Sequence, residues 1–154
     1  MQIKKDTRVW VMPTDTIIGI HARAFDKEAI GRILKIKKRD KYKSFIILVP
    51  SINSLKKFDI KINKRLREFL QKVWPGPVTV GIGDLGFRIP DNKELLDFLE
   101  KTGPIVSTSA NLSGKEPARS VKEAKKLFGD KVDEYIEGKA KSKSPSLVVK
   151  VLRK

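Results

Sequence analysis

Two short stretches of this chain concentrate side chains able to hold a ligand by hydrogen bonds. One is Ser107-Thr108-Ser109-Ala110-Asn111-Leu112-Ser113-Gly114; the other, far upstream, is Pro13-Thr14-Asp15-Thr16. Each directly follows a short apolar run, Pro104 to Val106 and Val9 to Met12 respectively. Small polar groups at the ends of buried strands build ligand sites from backbone and hydroxyl hydrogen bonds. The same residue types also serve as turn and helix-cap residues for local reasons. Two such clusters, each at a strand end and accompanied by a cationic segment, point to a site.

The cationic segment has its own geometry. Lys37, Arg39, Lys41 and Lys43 fall at every second position. On an extended segment they would all project to one side, because side chains alternate with period two. Four cations on one edge would bind an anion such as phosphate. A solvated connector is the usual fate of such a run, and the neighbouring polar clusters favour the phosphate reading. Arg88 stands between Phe87 and Ile89 in an apolar stretch. A cation there must reach a partner or a cleft, so either a buried ion pair or a ligand carboxylate is expected. The lone His21 reads as a structural histidine and Trp74 as a packing aromatic. There is no P-loop, no Rossmann glycine fingerprint and no GxSxG elbow.

These residues need elements to position them, and the chain alternates between two periodicities. Val9 to Met12, Phe45 to Val49, Val78 to Ile82, Phe87 to Ile89, Pro104 to Ser107 and Ser146 to Leu152 read as strands. Between them lie helices with apolar stripes. Ala29, Ile30, Ile33 and Leu34 follow a capping Asp26. Leu66, Phe69, Leu70 and Val73 follow Asn63 and stop at Trp74-Pro75-Gly76-Pro77. Leu95, Leu96, Phe98 and Leu99 stripe a third helix. Val121, Ala124, Leu127 and Phe128 follow a Ser120/Glu123 capping box and end at Gly129. Gly83 to Gly86 reads as a short turn, and Gly138 to Pro145 as a loose loop. Interleaved strands and helices predict one α/β domain over residues 1–154, with a twisted mixed sheet flanked by helices.

Composition bounds the partners. Lys and Arg number 34 against 18 Asp and Glu, a net charge of +16. That surplus calls for an anionic partner: nucleic acid, nucleotide phosphates or an acidic membrane. There is no Cys and one His, so cysteine chemistry is excluded and no metal site is expected. No apolar run reaches the length of a membrane span, and no secretory signal precedes the first strand. A cytoplasmic protein with no membrane association is expected.

Six motifs, in order, resemble a known family. Pro13-Thr14-Asp15-Thr16-Ile17-Ile18-Gly19-Ile20 is similar to the PTDTVYGL opening of YrdC-like proteins, the threonylcarbamoyl-adenylate synthases. Lys37-Lys38-Arg39 matches their KxR element, and Lys43-Ser44-Phe45 the lysine-proline-leucine stretch after it. Trp74-Pro75-Gly76-Pro77-Val78-Thr79 matches WPGPLT, and Phe87-Arg88-Ile89-Pro90 matches VRVP. Ser109-Ala110-Asn111-Leu112-Ser113-Gly114 matches SANxSG, and Ser146-Leu147-Val148-Val149 is similar to STVVD. The resemblance covers roughly residues 8 to 152.

The resemblance implies a YrdC-like fold with a positively charged concave face. It implies a nucleotidyltransferase joining L-threonine, bicarbonate or carbon dioxide, and ATP, with Mg²⁺, into threonylcarbamoyl-AMP and pyrophosphate. The product would feed a tRNA modification through downstream tRNA-modification proteins. By match to the motifs, Lys37, Arg39, Ser109, Asn111 and Ser113 would bind ATP and its phosphates. Thr14, Thr16, Arg88 and Ser146 would bind threonine. No residue is expected to act as a catalytic nucleophile. The alternative implied is a non-catalytic module of the same fold that binds tRNA or double-stranded RNA. The chain departs from the family pattern at Ile18 (tyrosine in the motif), Asp40 and Ser44 (prolines), Leu147 (threonine) and Lys150 (aspartate).

Overall fold

The computed structural model describes residues 8–38, 45–112, 114–138, 140 and 144–151. Trp10–Pro13 (β1), Ile18–Arg23 (β2), Ile46–Leu48 (β3), Val78–Ile82 (β4), Leu85–Arg88 (β5), Ile105–Ser109 (β6), Glu134–Tyr135 (β7) and Leu147–Val151 (β8) form one sheet. Its order is β7-β1-β2-β6-β3-β5-β4-β8. The pairs β3–β5, β4–β8 and β1–β7 are parallel and the others antiparallel, so the sheet is mixed, as expected.

The helices start where side chains satisfy their orphan amides. Asp26 accepts from the Ala29 amide at 3.1 Å and opens α1, Lys27–Lys37. Asn63 accepts from the Leu66 amide at 2.8 Å and opens α2, Lys64–Val73. Asn92 does the same for Leu95 at the start of α3, Lys93–Thr102, and Ser120 for Glu123 at α4, Val121–Phe128. Such a cap is worth about 1 kcal/mol. The chain leaves α2 at Trp74, whose indole Nε1 donates to the Val78 carbonyl at 2.7 Å; Trp74 is a packing residue, as read.

Strand alternation sorts the core into two clusters. On one face, Ile18, Ile20, Ala22, Ile47, Val80, Phe87 and Val106 pack with Ala29, Ile30, Ile33 and Ile36 of α1, Leu70 of α2, and Val121, Ala124 and Phe128 of α4. On the other, Trp10, Met12, Leu48 and Ile105 pack with Leu95, Phe98 and Leu99 of α3. That helix covers only one end of its face. The uncovered end is where the polar clusters lie. Among the described residues no helix is long and apolar enough to cross a membrane.

Three differences from the sequence reading matter for the site. The turn before β5 is shorter than read: only Gly83 and Asp84 make it, with Gly83 at φ +64°. A 3₁₀ helix, Ile52–Phe58, follows β3. The basic run does not leave α1 as an extended edge at Lys37. That residue is the last of the helix, and Lys38 turns the chain at φ 57°. Arg39, Lys41 and Lys43 lie outside the described residues.

Candidate active site

The uncovered end of the sheet forms a cavity of about 830 Å³. The register explains its wall. Gly19 faces Ser109 and His21 faces Ser107 across β2 and β6; Gly81 faces Gly86 across β4 and β5 and Lys150 across β4 and β8. One alternate set of side chains therefore reaches the cavity from β2, β3, β4, β5, β6 and β8. It supplies Gly19, Ile46, Thr79, Gly81, Gly86, Arg88, Ser107, Ser109, Val148 and Lys150. The loops add Thr14, Thr16, Asp84 and Ser146 among others.

The Thr14–Thr16 turn is built from its own hydroxyls. Thr14 Oγ1 donates to the Ile17 carbonyl at 2.8 Å and accepts the Thr16 amide at 3.1 Å. The Thr14 and Thr16 hydroxyls are 3.0 Å apart. Asp15, between them, turns inward to Arg88, whose Nη1 it bonds in a buried ion pair. Its other oxygen accepts the Asp91 amide at 3.0 Å. Arg88 Nη2 lies 3.3 Å from Thr16 Oγ1. The buried ion pair expected for Arg88 is formed with Asp15, and Arg88 also lines the cavity. Sequence reasoning missed Asp15 as the partner, although the residue sits inside the stretch that drew notice.

The second polar cluster is held from behind. Lys37 is almost fully buried, and its ammonium donates to Thr108 Oγ1 at 2.9 Å, the Ser109 carbonyl at 2.6 Å and Asn111 Oδ1 at 3.1 Å. Ser109 Oγ donates to Asn111 Oδ1 at 2.6 Å, and the Asn111 amide nitrogen donates to the Lys115 carbonyl at 2.6 Å. Ser109 reaches the described cavity wall; Lys37 and Asn111 do not. The expectation of an exposed cationic edge is thus corrected at Lys37. A helical last turn packs its ammonium into strand-end oxygens, where a buried charge is tolerated because it is multiply hydrogen-bonded. Arg39 and Ser113 lie outside the described residues. On the far wall Ser146 and Thr79 share a hydrogen bond at 2.7 Å between their hydroxyls.

The charged residues of the described wall are Arg88, Lys150 and Asp84. Of the cations expected to make the concave face positive, Arg39, Lys41 and Lys43 lie outside the described residues. Beneath the floor lies His21, fully buried, with Nε2 3.4 Å from the Met12 carbonyl oxygen. Burial, aided by repulsion from Arg88, pushes its pKa down to about 4, so it is neutral at pH 7. A Cβ on Gly19 would meet the imidazole at 2.8 Å and Ser107 Oγ at 3.2 Å, so the ring and the open floor both depend on that glycine.

A family model described as telomere recombination, Sua5_yciO_yrdC, matches residues 2–154. The chain belongs to the Sua5/YciO/YrdC family. Among its relatives, the threonylcarbamoyl-AMP synthase of Klebsiella pneumoniae is 30% identical over 145 residues, spanning 83% of this chain and 76% of its own. That of Marinobacter nauticus is 26% identical over 157 residues, spanning 91% of this chain and 83% of its own. The crystal structure of Sua5 from P. abyssi complexed with L-threonine superposes with a TM-score of 0.84 at 26% identity, covering 94% of this chain. This chain spans 47% of that Sua5. The YrdC-like resemblance and the fold read from the sequence both hold.

Proposed function

We propose that the cavity joins L-threonine, bicarbonate or carbon dioxide, and ATP into threonylcarbamoyl-AMP, releasing pyrophosphate. The observation that carries the reading is Arg88, a buried guanidinium on the cavity wall beside the Thr14 and Thr16 hydroxyls. Relatives named for this activity, and a neighbour bound to L-threonine, support the same substrates.

In the proposed reaction the threonine amine attacks carbon dioxide, which bicarbonate supplies by losing water; the N–C bond forms, a nitrogen proton passes to solvent, and a carbamate results. A carbamate oxygen then attacks the ATP α-phosphorus, the new P–O bond forms, and the bond to the β-phosphate oxygen breaks. The protein forms no covalent bond. Its task is to align two anions and stabilise the developing phosphate charge. Arg88, Thr14, Thr16 and Ser146 would hold threonine. Ser109 would face the nucleotide, with Asn111 and the Lys37 ammonium fixing it and adding positive charge to that end. Arg39 and Ser113 are assigned to the phosphates by motif.

Mg²⁺ fits this arrangement as a companion of the triphosphate. The Ser107 and Ser109 hydroxyls are hard oxygen donors on the wall, and Mg²⁺ keeps phosphate and water ligands rather than a protein cage. When bound it would neutralise phosphate charge. The product would enter tRNA modification in the cytoplasm, through proteins acting downstream.

Thermal denaturation tests the assignment of Arg88. Millimolar L-threonine with ATP should raise the melting temperature of the wild type and leave Arg88→Ala unmoved. Equal stabilisation of both would remove Arg88 from the threonine site.

A further inference from the structure

A second groove, of about 510 Å³, lies at the opposite ends of the central strands β2 and β6 from the cavity. The cavity takes Gly19 near the start of β2 and Ser109 at the end of β6. The groove takes Arg23 from the end of β2, Ala24 and Phe25 from just beyond it, and Pro104 from before β6. Its most unusual feature is Phe25, which is 62% exposed. The ring is stacked on Phe58, with centroids 5.0 Å apart and planes at 20°. Phe58 in turn meets buried Phe87 edge-on at 5.2 Å. A column of three rings is thus rooted in the core and ends in an open aromatic face.

The surroundings are fixed and cationic. The Ala24 amide donates to the Pro104 carbonyl at 2.9 Å, pinning one loop to the other. Arg23 and Lys57 line the groove, and Arg23 is held over the Trp10 ring at 5.8 Å. Asp26, also on the lining, is engaged by Arg8 at 2.6 Å. Stacked ring, fixed loops and cations suit a flat aromatic group that carries phosphate, and the net charge of +16 favours a polyanion.

We propose that this groove binds an unpaired base of single-stranded or looped RNA, with Phe25 as the stacking surface and Lys57 at the adjoining phosphate. A duplex buries its base faces and offers the ring nothing to stack on.

The test is fluorescence anisotropy with a labelled single-stranded RNA dodecamer and with its duplex, across a salt series. Phe25→Ala should bind the single strand about tenfold or more weakly, the range set by base–aromatic stacking, and the duplex as the wild type does. Lys57→Ala should lower the log–log salt slope for the single strand by about 0.7, one phosphate contact. Phe25→Trp should keep the affinity, and its indole emission should be quenched by the single strand only. Unchanged single-strand affinity in Phe25→Ala would overturn the proposal. So would an equal loss on single strand and duplex, or an unquenched Phe25→Trp. The readout is separate from threonine and ATP, so it stands or falls independently of the reaction at the cavity.

Discussion

Asp15 and Arg88 form a buried ion pair between the β1–β2 turn and β5, with side chains 3% and 1% exposed. The pair ties the Thr14–Thr16 hydroxyls to the cavity floor, and the Asp91 amide on the second Asp15 oxygen fixes the carboxylate in turn. Arg88 Nε is buried with no hydrogen-bond partner among the described residues. Nη1 is held by Asp15 and Nη2 lies 3.3 Å from Thr16 Oγ1, so the guanidinium is fixed beside the Thr14–Thr16 turn.

Removing one partner of such a pair strands a buried charge. Asp15→Ala should cost about 3–5 kcal/mol in urea denaturation, whereas Asp15→Ala combined with Arg88→Met should recover most of that loss. Additive costs in the two variants would mean the pair is not coupled.

Lys37 gives a parallel case with a functional readout. Lys37→Met would leave Thr108 Oγ1, the Ser109 carbonyl and Asn111 Oδ1 without their shared donor. Hydrogen bonds to charged groups are worth about 1.5–3 kcal/mol. A stability loss of that order is expected, with weaker ATP binding because Ser109 loses its support. Lys56→Ala, exposed on the 3₁₀ helix, should change neither in denaturation and nucleotide titration.

The buried imidazole sets an acid limit. His21 has a folded pKa of about 4 against an ordinary value of 6.5. The unfolded chain thus binds the proton more tightly. Stability is flat above about pH 6.5 and falls as pH drops towards 4, by on the order of 3 kcal/mol. Asp133, held down to about 2 by its hydrogen bond from Arg32, loses its contribution only below that window. Denaturation at pH 7 and pH 4.5 should show the drop in the wild type and a flattened profile in His21→Gln.

The glycines of the floor differ in tolerance. Gly19→Ala drives a methyl to 2.8 Å from the His21 ring, while the tightest contact of Gly81→Ala is the Lys150 side chain at 3.2 Å, with backbone no nearer than 3.7 Å. Overpacking costs about 1–3 kcal/mol. Gly19→Ala should lose about that much in thermal denaturation, and Gly81→Ala little.

The pattern of legibility follows from what each signal depends on. Helix caps at Asp26, Asn63, Asn92 and Ser120 are local, and the first, second and fourth were readable before any fold was known. β2 was overlooked as a strand because Gly19 and His21 break its apolar character, yet Ile18, Ile20 and Ala22 alternate as a half-buried strand should. Thr14, Thr16, Arg88, Ser109 and Ser146 were readable as a set through their motifs, and they do share one cavity. The inward turn of Lys37 was not readable. Its direction is set by where β6 ends in space, and period-two spacing in the sequence suggested an extended edge. Asp15 was likewise invisible as a partner, since β5 reaches it only through the sheet order.

Pyrophosphate release from ATP with Mg²⁺, in the wild type and Arg88→Ala, tests the account most directly. Release should require L-threonine and bicarbonate together, fall sharply when serine or glycine replaces threonine, and be lost in Arg88→Ala. Release that is equal with serine, glycine or no amino acid, or that survives in Arg88→Ala, would contradict it.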